Sequence, residues 1–195
     1  MLSLFYPPVP VPVLPLPTAA GVSEVVETTG EMLPVIEQNG EVIGQASRTY
    51  CHKARLLHPV VHLHLIDRFG NLYLQKRALS KENWPGCWDT AVGGHVLFGE
   101  SFEEALYRES DEELGLTAFN PVLLGESLYK DRVERELIAV YAAVGHFPVT
   151  PNPEEVSEGR WWRMDEIEDN LGKSVFTPIF EEDFRKLRPS LEALL

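Results

Sequence analysis

One stretch dictates more of the structure than any other: Gly94-His-Val-Leu-Phe-Gly-Glu100-Ser-Phe-Glu-Glu-Ala-Leu-Tyr-Arg108-Glu109-Ser-Asp-Glu112-Glu113-Leu-Gly115-Leu116, a loop that feeds a helix. Ser101 followed three residues on by Glu104 is a capping box, so the helix begins near Ser101. Phe102 to Leu114 contains neither Gly nor Pro, and Gly115 stands where a left-handed terminating residue belongs. The helix is therefore about fourteen residues long, or about four turns. Glu109, Glu112 and Glu113 fall at i, i+3 and i+4, within an arc of about 100° on one face.

Three like charges so close repel one another, and Arg108 is the only base inside the helix. A solvated acidic face is the plain reading of a Glu-rich helix. The preceding loop argues for more. Gly93-Gly94 lets backbone carbonyls approach an ion, and oxygen ligands converging from a loop and three helix carboxylates suit Mg²⁺ or Mn²⁺. A bound divalent cation removes the repulsion.

Gly94, five residues, Glu100, seven residues, Arg108-Glu109, two residues, Glu112-Glu113, one residue, Gly115-Leu116 resembles the Nudix box of hydrolases that cleave nucleoside diphosphates linked to another moiety. Ser110 departs from it, standing where that family has an aliphatic residue. The resemblance implies an α/β fold, the Nudix-type α/β/α sandwich with a mixed β-sheet. It also implies metal ligation by Glu109, Glu112, Glu113 and the Gly93 carbonyl, with Arg108 and Glu100 holding those groups in place.

At 195 residues the chain suits one domain with a well-buried core. A net charge of −13 leaves no surplus of Lys or Arg to displace phosphate counterions, which argues against long nucleic acid as a partner. A phosphorylated small molecule must then be met by local basic groups. Cys51 and Cys87 could pair, but two cysteines fit free thiols in a reducing, cytoplasmic compartment better. No apolar run is long enough to span a membrane. A homodimer is left open.

Residues 1–30 begin apolar and are broken by proline at nearly every second position over the first twenty, which excludes a signal-peptide helix and favours extension or disorder. A docking peptide is the alternative. The folded domain is expected over 31–195. Residues 31–47 read as a hairpin turning at Asn39-Gly40, and Pro59–Ile66 and Leu72–Gln75 as a second one around 67–71. His62 and His64 alternate with Val61, Leu63 and Leu65, which places them on a polar strand face. Lys76 to Trp88 reads as a loop with two tryptophans, in which Arg77 and Lys81 are candidates to hold a diphosphate, Arg77 through a bidentate fork and Lys81 as a point charge. Pro121–Tyr129 and Val133–Val144 are expected strands, the second carrying Glu134 and Glu136 on one side. Arg160-Trp161-Trp162 is expected as a short strand before a helix capped by Asp165, and a last helix should start at Thr177-Pro178.

A second likeness is more specific. Arg77-Ala-Leu-Ser-Lys81, Trp84-Pro-Gly-Cys-Trp88, Gly94-His95 and Gly99-Glu100-Ser101 resemble the isopentenyl-diphosphate isomerase branch of the Nudix superfamily, over roughly His52 to Ala143. That branch binds a metal through three histidines and two glutamates, and the matching positions are His52, His58, His95, Glu134 and Glu113; Glu136 matches its acidic catalytic residue. Two departures oppose isomerase chemistry. Gly93 stands where the isomerase has a cysteine, and glycine carries no proton. Glu109 and Glu112 stand where the isomerase lacks acids. The expected activity is metal-assisted attack of water on a small-molecule diphosphate, with Glu136, Glu112 and Glu109 as candidate bases in that order. Isomerase activity and a non-catalytic nucleotide sensor are the alternatives. A side chain at Gly93 is expected to obstruct the backbone's approach to the ion.

Overall fold

A computed structural model describes residues 3–6, 12–13, 30–81, 83–132 and 134–195. The proline-rich expectation for residues 1–30 falls mostly outside the described residues. Among those described, the elements run β1 (Met32–Ile36), β2 (Val42–Ser47), α1 (Arg48–Ala54), β3 (His58–Ile66), β4 (Leu72–Arg77), β5 (Trp88–Asp89), β6 (Val92–His95), α2 (Phe102–Leu114), β7 (Val122–Lys130), β8 (Arg135–Val144), β9 (Val156–Trp162), α3 (Met164–Asn170) and α4 (Pro178–Glu192). β1 and β2 form a two-stranded antiparallel sheet. The larger sheet has the order β5-β4-β3-β8-β7, with β6 paired to β3 and β9 to β4. Helices accompany a mixed sheet, so the α/β class expected from the motif is the one observed. No helix among the described residues is long and apolar enough to cross a membrane.

The chain divides into two compact units. The first consists of Met1–Val60, His95–Ala105 and Glu126–Ala139. Its β1–β2 hairpin turns at Gly40, whose φ of 83° is one that glycine adopts without steric cost. Leu33, Val35, Ala46, Tyr50 and Cys51 form the core between hairpin and α1, with Leu97 packed against them. Two described amino-terminal residues, Phe5 and Pro12, bond to β2. The Val42 amide donates to the Phe5 carbonyl at 2.9 Å, and the Gln45 amide to that of Pro12 at 3.1 Å.

The second unit consists of Val61–Gly94, Leu106–Gly125 and Val140–Leu195. Its core joins Ile66, Leu72 and Leu74 to Trp88 and Trp162 and to Phe176, Phe180 and Phe184. Trp88 and Trp162 are thus core anchors, whereas Trp84 is exposed. Cys51 and Cys87 are both free thiols.

Three expectations need correction. All nine residues of β3 are buried, His62 and His64 included. Both faces of β3 are covered, and polar side chains there must find partners instead. His62 Nδ1 meets Asp183 Oδ2 at 2.9 Å, and His64 Nδ1 faces Thr90 Oγ1 at 3.4 Å. Asp165 does not cap α3: Arg163 is the N-cap residue, and Asp165 lies in the first turn, where an acid complements the helix dipole. Lys76 and Arg77 belong to β4 rather than to a loop, because β9 continues to pair with that strand as far as Arg77 and Val156.

Candidate metal centre and catalytic carboxylates

The acidic helix forms as its sequence demands. The Ser101 amide and hydroxyl each donate to Glu104 Oε2 at 2.8 Å, and the Glu104 amide donates back to Ser101 Oγ at 3.3 Å. At the other end Gly115 has a φ of 60° and donates to the Asp111 carbonyl. The Ser110 hydroxyl, at the position that departs from the motif, donates to the Leu106 carbonyl at 2.7 Å, so its burial leaves no orphan donor.

The three carboxylates meet different surroundings. Glu112 is exposed, and Arg108 Nη1 donates to its Oε2 at 3.2 Å and to Glu109 Oε1 at 2.8 Å. This one base therefore offsets part of the repulsion between two of the acids. Glu113 is buried at 8% exposure, where Gln75 Nε2 donates to its Oε2 at 2.9 Å and the Gly93 amide approaches at 3.4 Å. Burial, reinforced by the charge of Glu109, pushes the Glu113 carboxyl up to about 8. Without a cation the cluster lowers its charge by keeping that proton.

The two glycines of β6 lie against this helix face with different freedoms. A Cβ on Gly94 would sit 2.0 Å from Glu109 Cδ, so only glycine leaves room for that carboxylate. A Cβ on Gly93 would meet nothing closer than His62 Cδ2 at 3.5 Å, and its φ is not left-handed. The protein's own packing therefore demands glycine at Gly94 and not at Gly93. Sequence reasoning gives Gly94 no such role.

Arg77 and Lys81 already have protein partners. Arg77 Nε donates to the Asn83 carbonyl at 3.0 Å and its Nη1 faces Asp89 Oδ2 at 3.4 Å; Lys81 pairs with Glu155.

In the first unit, His52, His58 and His95 converge. Their ring centroids are 5.1 to 5.3 Å apart, and their candidate ligand atoms lie within 4.8 Å of one another. Helix α1 delivers His52, its N-cap Ser47 accepting from the Tyr50 amide. His52 Nδ1 meets Glu134 Oε2 at 2.7 Å and His58 Nδ1 meets the Leu56 carbonyl at 2.9 Å. A carbonyl can only accept, so His58 carries its proton on Nδ1 and keeps a lone pair at Nε2. The Nε2 atoms of His52 and His58 are buried with no hydrogen-bond partner among the described residues. Burial holds the His58 imidazole down to about 4, well below the usual histidine value. Burial raises the Glu134 carboxyl, but the hydrogen bond and charge of His52 outweigh it, and the net shift is downward. Glu136 Oε1 is 3.9 Å from His58 Nε2, and His58, Glu134 and Glu136 form a second candidate ligand group. Glu136, expected from the isomerase likeness as a catalytic residue, thus lies among candidate ligands.

Residues 56–180 match the NUDIX domain family. The chain belongs to the Nudix family. Among Nudix relatives, the isopentenyl-diphosphate Delta-isomerase of Brevibacterium linens is 31% identical over 82% of this chain and 92% of its own length. That of Clavibacter sepedonicus is 34% identical over 67% of this chain and 73% of its own. An uncharacterized Nudix hydrolase of Yersinia pestis is 31% identical over 82% and 93%. Of solved structures, DR0079 from Deinococcus radiodurans superposes with a TM-score of 0.67 at 27% identity, covering 80% of this chain and 98% of that one. A MutT protein from Methanosarcina mazei shares the Nudix fold with a TM-score of 0.59.

Proposed function

We propose that this Nudix protein is a metal-dependent hydrolase of a diphosphate linkage in a small molecule such as a nucleoside diphosphate derivative. The observation that carries the reading is the helix face of Glu109, Glu112 and Glu113, with Glu113 buried against Gln75 and the Gly93 amide. A buried carboxylate with a raised pKa beside a second carboxylate is a poor structural element and a good cation ligand. Glu109, Glu112, Glu113 and the Gly93 carbonyl would hold Mg²⁺ or Mn²⁺. The lone pair of His58 Nε2 and the buried Nε2 of His52, neither with a hydrogen-bond partner among the described residues, fit a second ion, which His95, Glu134 and Glu136 would complete.

A divalent cation at these groups supplies neutralisation of phosphate charge and acidification of the attacking water. The protein's own share is distinct. Arg108 holds Glu109 and Glu112 in place, and Gly94 keeps the space that Glu109 fills. Glu136, Glu112 or Glu109 takes the proton of the attacking water. Arg77 and Lys81 would exchange Asp89 and Glu155 for phosphate oxygens. The test is phosphate release with Mg²⁺ from a panel of dinucleotides, nucleotide sugars, nucleoside triphosphates and prenyl diphosphates. A Glu113→Gln variant that keeps most of the wild-type rate would sink the assignment.

Isomerase activity is the second reading, favoured by the grouping of His52, His58, His95, Glu134 and Glu136 and by relatives that bear that name. Against it stands Gly93, which has no proton to give. Deuterium exchange into isopentenyl diphosphate, followed by NMR, separates the two. Exchange as fast as any hydrolysis reverses their order.

A further inference from the structure

The loop from His95 to Ser101 joins one candidate metal ligand to the cap of the acidic helix, so its rigidity matters to the site. Each backbone amide from Val96 to Glu100 has a partner. Val96 donates to the Pro59 carbonyl at 3.1 Å, beside His58, and Phe98 donates to that of Met32 at 2.8 Å. The Leu97 amide takes Glu100 Oε2 at 2.9 Å, and the Glu100 amide returns to the Leu97 carbonyl at 3.0 Å. The fifth partner comes from far away in sequence: the Gly99 amide donates to the hydroxyl oxygen of Tyr6 at 2.8 Å.

Tyr6 also sets its ring edge-on against Phe98, with centroids 5.2 Å apart. Its neighbour Phe5 is fastened to β2, accepting from the Val42 amide at 2.9 Å and donating to the Gly40 carbonyl at 3.3 Å. Tyr6 is therefore held by a backbone anchor on one side and holds the loop on the other. It lies outside residues 56–180, the extent of the matched family.

We propose that Tyr6 is a positioning residue for the histidine–carboxylate metal centre, acting through Phe98 and Gly99 to fix the loop that begins at His95. The inference rests on the reading of His52, His58, His95, Glu134 and Glu136 as metal ligands. Tyr6→Phe keeps the ring contact and deletes the acceptor; Tyr6→Ala deletes both. Losing one hydrogen bond, or that bond and an aromatic contact, predicts Co²⁺ affinity reduced about threefold and about tenfold respectively, with the full-length chain titrated through the visible absorption of the ion. Hydrogen–deuterium exchange of the Gly99 amide should accelerate by similar factors. If both variants bind Co²⁺ with wild-type affinity and spectrum, Tyr6 is at most a structural contact and the inference is overturned, even where the melting temperature falls. If the wild-type chain gives no Co²⁺ absorption, the metal centre itself is refuted and the inference with it. The wild-type titration tells these two failures apart.

Discussion

Gly93 and Gly94 are chain neighbours with opposite tolerances. A methyl group on Gly94 must displace the Glu109 carboxylate, whose Cδ lies 2.0 Å from where that carbon would go. Gly94→Ala should therefore cost about 2–4 kcal/mol by urea unfolding and weaken Mg²⁺ binding at least tenfold. Gly93→Ala, with ordinary contacts at 3.5 Å and beyond, should stay within about 1 kcal/mol. Equal losses at both positions would refute this assignment of roles. Glu113→Gln should lower turnover by several orders of magnitude while keeping the bond from Gln75 available, which Mg²⁺-dependent phosphate release measures. Helical spacing alone places the three carboxylates on one arc. It cannot say that Gln75 and β6 cover Glu113 while Glu112 stays in solvent, because periodicity fixes direction around an axis and not what packs there.

Among the elements, α2 is readable to the residue because both of its ends are written locally, in Ser101 with Glu104 and in Gly115. β3 is readable as a strand but wrongly two-faced, since alternation of His with Val and Leu cannot reveal that both of its faces are covered. Helix α1 escapes the sequence pattern altogether. It is a seven-residue helix directly after β2, and the one local cue is Ser47, which the extended pattern absorbs into the strand. That helix matters because it carries His52 to His58 and His95. Ser47→Ala should cost about 1 kcal/mol of stability, the typical value for a lost cap. It should also loosen the His52–Glu134 pair, read as a weaker Co²⁺ titration. An unchanged titration would separate the cap from the metal centre.

At the scale of the whole molecule, buried titratable groups set how stability varies with pH. Burial raises Glu113 from 4.5 to about 8, so the folded chain keeps a proton the unfolded chain has lost, and stability falls as pH rises through that window. Burial lowers His58 and His64 from 6.5 to about 4, so the unfolded chain takes protons first, and stability falls as pH drops through that window. Two histidines outweigh one glutamate below pH 6.5, and the glutamate acts alone above it. The metal-free protein should be most stable near pH 6.5, with losses of about 2–5 kcal/mol on either side. Glu113→Gln or saturating Mg²⁺ should flatten the alkaline side in urea unfolding at pH 6.5 and 8.5. An alkaline decline that survives both would exclude Glu113 as its cause. The amino-terminal pairing on β2 has a consequence of another kind. Carbonyls of Phe5 and Pro12 take the amides of Val42 and Gln45, so those two amides on the rim of the small sheet are not left bare. Strand rims left bare recruit other chains. A chain shortened to residue 31 should thus aggregate at concentrations where the full-length protein stays dispersed, and light scattering of the two would show whether the proline-rich leader also serves as a guard against self-association.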